Sequence, residues 1–212
     1  MLKDPNGEDI WIVYEGVKYE FTDGNLYTEN GDLYTPTENQ HFLKDAMASL
    51  NKLEKTKTGY ELVGSFDNNP DHDIFITNSS KSNYNTDDNT IYWNNNGTDL
   101  YTEAGIQKSP TTDLGHEFSH AYDKHFGTIY IEGSYNHISN KEWMAVYREN
   151  LIRGEMSLPY RESYGQPQYD RYGTLMESPS MLRSKQPYLP TEILKETANV
   201  IGILKQTIKH SN

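Results

Sequence analysis

The chain has 212 residues, 34% of them hydrophobic, with no cysteine, a formal charge of -12 and a pI near 5.0. That length suffices for one sizeable domain, or one domain with an appended lobe. The composition excludes disulfides and thiolate ligands, so any zinc site must use His, Asp or Glu. Such a charge opposes phosphate backbones and excludes nonspecific nucleic-acid binding, and no apolar run has the length of a membrane span.

The N-terminus, MLKDPNGEDIWIVYEG, lacks the basic start and apolar core of a signal peptide. The chain is therefore expected to be cytosolic, exported by another route, or cut from a longer polypeptide. Residues 10 to 35 read as short strands and tight turns. Ile10 to Tyr14 is a β-favouring run, and Glu15-Gly16, Asp23-Gly24 and Asn30-Gly31 are turn signals. The segments DGNLYTEN and GDLYTPTE form an imperfect repeat, expected to be consecutive β-hairpins with structural tyrosines; exposed rings that stack on sugars are the alternative. The boundaries expected are an N-terminal hairpin segment over 1–36 and a main domain over 37–212.

From about Glu38 to Lys55 the period becomes helical, with Phe42, Leu43, Ala46, Met47, Leu50 and Leu53 on one side. Residues 60–65, 72–78 and Thr90 to Trp93 are expected as strands. The polar stretch around them favours loops; its oxygens also suit calcium, but no ordered EF-hand spacing is present. Ile91 to Trp93 is the best candidate for a sheet edge beside the next helix.

That helix is the stretch the chain is organised around. Thr111 to Gly127 reads TTDLGHEFSHAYDKHFG and contains His116, Glu117 and His120 as H-E-x-x-H. On a helix, residues four apart share a face, so the two imidazoles can hold one ion. Glu117, beside the first ligand, can act as general base toward water on that ion, which is the zinc-hydrolase arrangement. Ser109 to Asp113 offers capping groups, Gly127 a stop, and Leu114, Phe118, Ala121 and Tyr122 an apolar side.

A catalytic zinc shell needs a third protein ligand. The helix starting near Ser139, SNKEWMAVYRENLIRG, carries Glu142 and Glu149. They face nearly the same way but lie about 10 Å apart along the axis, so both cannot ligate one zinc. Glu142 is preferred, because Ala145 permits close helix approach. Against it, Ser139 and Glu142 also match a capping box. Glu149 is the rival, as ligand or as acceptor behind a ligand histidine. His125 points around the helix and His137 lies in a loop; both are lesser candidates.

The segments HEFSHA, EWMAVYREN and SLPYRESYG resemble the zinc metallopeptidase effector domains that include bacterial type III secreted proteases, with related domains at the toxic tips of Rhs-type polymorphic toxins. The resemblance spans about residues 72–172. It implies an α+β, zincin-like fold: a small mixed or antiparallel sheet, the H-E-x-x-H helix and a downstream glutamate-bearing helix. It also implies one Zn²⁺ held by His116, His120 and Glu142, the last in the Glu-x-x-Ala setting of glutamate-ligand zincins.

Arg161 and Tyr164, as R-x-x-Y, resemble the pair that approaches the scissile carbonyl in clostridial neurotoxin proteases. Tyr164 would then donate to the oxyanion and Arg161 would orient substrate or support the tyrosine. Tyr160, Tyr169 and Tyr172 are alternative donors. The expected function is a zinc endopeptidase, secreted or translocated into a target cell, that cleaves a protein or peptide substrate. The alternatives are a hydrolase of a cell-wall amide and an inactive, metal-free binding domain. A toxin tip implies a cognate immunity protein. The oligomeric state is open, and overall acidity implies only a mild preference for basic partners. Ile193 to Ile208 carries a helical apolar stripe expected to close the core.

Overall fold

A computed structural model describes residues 9–66, 73–126, 133–165, 168–169, 175–176 and 179–194. The architecture is α+β: a mixed sheet with helices packed on it. β1 (Ile10–Tyr14), β2 (Val17–Thr22), β3 (Asn25–Thr28) and β4 (Leu33–Tyr34) form an antiparallel meander. Its turns fall at Glu15-Gly16 and Asp23-Gly24, all with positive φ, a conformation that two-residue hairpins demand.

α1 (His41–Leu53) and α2 (Lys57–Gly64) come next in the chain. α1 buries Phe42, Leu43, Ala46, Leu50 and Leu53, the stripe its period predicts. The strand expected over 60–65 is instead part of α2. Thr56 caps it by accepting from the Gly59 N–H at 3.0 Å, and Glu155 accepts from both the N–H and the hydroxyl of Thr58. A short apolar run does not distinguish strand from helix by period, and here these two caps decide.

β5 (Ile74–Asn78), β6 (Asn83–Asn85) and β7 (Thr90–Trp93) complete a seven-stranded sheet in the order β4-β3-β2-β1-β5-β7-β6. β1 pairs β5 in parallel and β5 pairs β7 in parallel, so residues 10–34 share one sheet and one core with β5 to β7. The edge assignment from sequence needs correction. Ile91 to Trp93 lies inside the sheet, and β6, antiparallel to β7, is the edge. Ile91 and Trp93 are fully buried, as an interior strand requires, whereas β6 carries polar Asn83 and Asn85.

The hairpin of β8 (Asp99–Thr102) and β9 (Gly105–Lys108) leads into α3 (Pro110–Phe126). β10 (Ser134–Tyr135) and β11 (Ile138–Ser139) lead into α4 (Asn140–Glu155). α3 buries Leu114, Phe118 and Ala121 in the main core. Gly115 lets α3 approach its neighbours: an added Cβ would meet Ile152 Cδ1 of α4 at 2.8 Å and Leu53 Cδ2 of α1 at 3.1 Å. A second core under α4 joins Trp143, Met144 and Val146 to Met181, Leu189 and Ile193. Of the C-terminal apolar stripe, the part after Leu194 lies outside the described residues, as does Gly127.

Candidate metal centre

His116 and His120 project from one face of α3, and their Nε2 atoms lie 3.2 Å apart. Glu142 comes from the first turn of α4. Its Oε2 is 3.2 Å from His116 Nε2 and its Oε1 is 3.4 Å from His120 Nε2. Among the described residues this is the one group of three His, Asp or Glu donors placed to share an ion.

The spacing fits zinc. Bonds of about 2.0–2.1 Å at tetrahedral angles set ligand atoms about 3.3 Å apart, and the three donors stand at that separation. The electrostatics agree. Burial pulls the His116 imidazole down, but Glu142 and Glu149 more than offset it and push it up to about 10. Burial alone would raise Glu142; hydrogen bonds with His116 and His120 take it well below the usual carboxylate range. The negative potential of the two carboxylates that raises the imidazole also favours a divalent cation, which takes the proton's place on binding.

The capping box expected at Ser139 is half formed. Ser139 Oγ accepts from the Glu142 N–H at 3.3 Å, while the Glu142 carboxylate turns to the histidines. A helix-start position thus serves both purposes with different atoms. Glu149, two turns on, lies behind His116, its Oε2 3.4 Å from Nδ1. It is fully buried and receives Arg153 Nε on one oxygen and Arg161 Nη1 on the other, each at 2.8 Å.

Arg161 is therefore turned inward. Its backbone is pinned to Asn150 and its Nε donates to the Ser163 carbonyl. Its guanidinium lies 5.3 Å from the centre of the Tyr164 ring. Tyr164 lines the cleft together with His116, Glu117, His120 and Glu142. Burial, then the charge of Glu142, pushes the Tyr164 phenol up to about 12. Burial likewise raises Glu117, although both histidines pull it back down.

The remaining sequence candidates lie elsewhere. His125 bonds the Tyr84 hydroxyl at 2.9 Å. His137 sits in the β10–β11 turn with positive φ. Tyr160 packs its hydroxyl over Gly154 of α4. The side chains of Tyr169 and Tyr172 lie outside the described residues.

The cleft has a volume of about 450 Å³ and runs between α3, the start of α4 and the edge strand β6. β6 is tied to α3 at two points: Ser82, just before the strand, hydrogen-bonds Asp113, and Tyr84, at its centre, bonds His125. Thr98 also reaches Asp113, at 3.3 Å. Sequence reading missed these ties and the inward pairing of Arg161 with Glu149. The seven-residue spacing of Glu142 and Glu149 was the signal that one of them stands behind the other.

Comparison with known families gives a match over residues 30–164, more than half of the chain, to the M91 peptidase family, described as an effector protein. The chain belongs to the M91 family of effector peptidases. Family and donor set together make it a zinc-dependent metallopeptidase. Neither the curated proteins nor the solved structures give this M91 peptidase a significant match. Among its described residues, no helix is long and apolar enough to cross a membrane.

Proposed function

We propose that this M91 peptidase is an endopeptidase that holds Zn²⁺ through His116, His120 and Glu142 and uses Glu117 and Tyr164 on the peptide bond. The observation that carries the assignment is the convergence of those three donors, within 4.8 Å of one another, on a cleft that Glu117 and Tyr164 also line. When bound, zinc supplies Lewis-acid chemistry, lowering the pKa of water and polarising a carbonyl.

The chain's own residues do the rest. Glu117, raised by burial, takes the proton of the attacking water on a carboxylate oxygen and passes it to the leaving amine. Tyr164 keeps its proton at neutral pH and donates it as a hydrogen bond to the carbonyl oxygen as negative charge develops. Arg161 acts through others: it grips Glu149 and lies against the Tyr164 ring, so it positions the donor rather than touching substrate. Glu149 faces the far nitrogen of His116 and sets the ring's orientation.

β6 supplies the substrate track. It is an edge strand anchored to α3 beside the donors, and an extended peptide that adds to its free side runs past them. A track open along its length suits an internal bond of a protein. The effector description supports a protein target and, with it, delivery into another cell by secretion or translocation; an immunity protein in the producer follows from the toxin-tip resemblance alone.

The test is zinc content and cleavage measured on the same preparations. Wild type is expected to carry about one zinc per chain and to cleave unfolded protein substrates. Glu117→Gln is expected to keep the zinc and lose about 10²–10⁴-fold in rate. A Glu117→Gln protein that cleaves at the wild-type rate would remove the general base from the mechanism.

A further inference from the structure

We infer that Lys124 and Lys141 make the cleft select peptides carrying an acidic side chain, Asp or Glu, within about two residues of the scissile bond. The inference rests on the peptidase reading above and concerns which peptides that site accepts. His116, His120 and Lys124 succeed one another at four-residue intervals along α3, so they stand in a row on one face. Lys141 directly precedes Glu142 at the start of α4. Both lysines are exposed, and both line the cleft that holds the metal donors.

Lys141 acts on Asp123 through its charge, but not at ion-pair distance. Among the described residues, neither lysine makes an ion pair. The carboxylates nearby have closer partners or are enclosed. Asp123 takes Arg148 at 2.8 Å, Glu142 faces the histidines, and Glu117 is buried. The N-terminus of α4 opens on the same wall, and its dipole adds to the positive potential there.

This is the reverse of what the whole chain implies. A net charge of -12 draws cationic partners to the surface at large, whereas the cleft presents two cations to whatever lies in it. Reach sets the position. Lys124 is one helical turn, about 6 Å, beyond His120. An extended peptide advances about 3.3 Å per residue, so its ammonium meets a side chain about two residues from the reacting carbonyl.

An exposed ammonium–carboxylate contact discriminates only a few-fold per lysine, and the preference should weaken with salt. The experiment uses a peptide library from a chymotrypsin-digested proteome, read two ways by mass spectrometry. One reading is cleavage by the zinc-loaded chain; the other is capture on zinc-loaded, immobilised Glu117→Gln protein. Each is repeated with Lys124→Glu/Lys141→Glu.

Wild type is expected to enrich Asp and Glu about threefold near the cut and among captured peptides, with the double variant enriching Lys and Arg instead. Cleavage without acidic enrichment, or with the same enrichment in the double variant, overturns the role of the lysines and leaves the peptidase reading intact. Acidic enrichment in capture with no cleavage by wild type supports the lysines and overturns the peptidase reading. Neither cleavage nor acidic enrichment overturns both.

Discussion

Glu142 and Glu149 stand on one helix, both against His116, yet their changes to glutamine are expected to rank in opposite order for stability and for zinc affinity. Glu149 is enclosed: its two oxygens take Arg153 and Arg161 at 2.8 Å each, and all three side chains are nearly or fully buried. Glu149→Gln keeps the volume but turns an NH₂ toward a guanidinium and leaves two buried cations without an anion. Breaking a buried pair in this way costs about 3–5 kcal/mol, a large part of the roughly 5–15 kcal/mol that holds a domain together.

At a denaturant slope of about 2 kcal/mol per molar, the urea midpoint falls by roughly 2 M. Loss of the carboxylate behind His116 also weakens zinc binding by about 10–100-fold. Glu142 is partly exposed, and among the described residues its carboxylate meets the two histidines and Tyr164. Glu142→Gln should lower the midpoint in EDTA by no more than the equivalent of about 1 kcal/mol, while zinc affinity drops further than in Glu149→Gln because a ligand is gone. The assays are urea unfolding in EDTA and zinc competition against a chromophoric chelator. A wild-type urea midpoint for Glu149→Gln would refute the buried-network reasoning. Wild-type zinc affinity in the same protein would show that the carboxylate does not orient His116.

The same geometry carries two further outcomes. Tyr164→Phe should lower kcat by about 10²-fold or more with KM nearly unchanged, since the hydroxyl acts on charge that develops only in the transition state; an equal loss for a bound ground-state analogue would assign it to substrate binding instead. The Tyr84 phenol is pushed up to about 12, by burial first and then by Asp88, against an ordinary value near 10. Because the folded state holds this proton more tightly, its contribution is complete below about pH 10 and is lost as pH rises toward 12. Tyr84→Phe should therefore lessen the alkaline fall in stability over that window, measured by urea midpoints between pH 9 and 12 and checked by phenolate absorbance.

What the sequence by itself determined was local. The turn residues of the β1–β4 meander, the stripe of α1, and the pairing of His116 with His120 around Glu117 each depend on neighbours within a few positions, and each reads directly from spacing. The second glutamate-bearing helix was legible for the same reason. The tertiary structure decided everything that required two distant segments to meet. It separated Glu142, which reaches the histidines, from Glu149, which is closed off behind His116 by Arg153 and Arg161. It turned residues 57–64 into a helix through caps at Thr56 and Glu155, the latter far away in sequence. It placed β7 inside the sheet and left β6 as the edge beside the cleft. The reason is physical: a helix's period records which of its faces is apolar, but not which buried charge will find a partner there, because that free energy exists only once the partner's segment has packed against it.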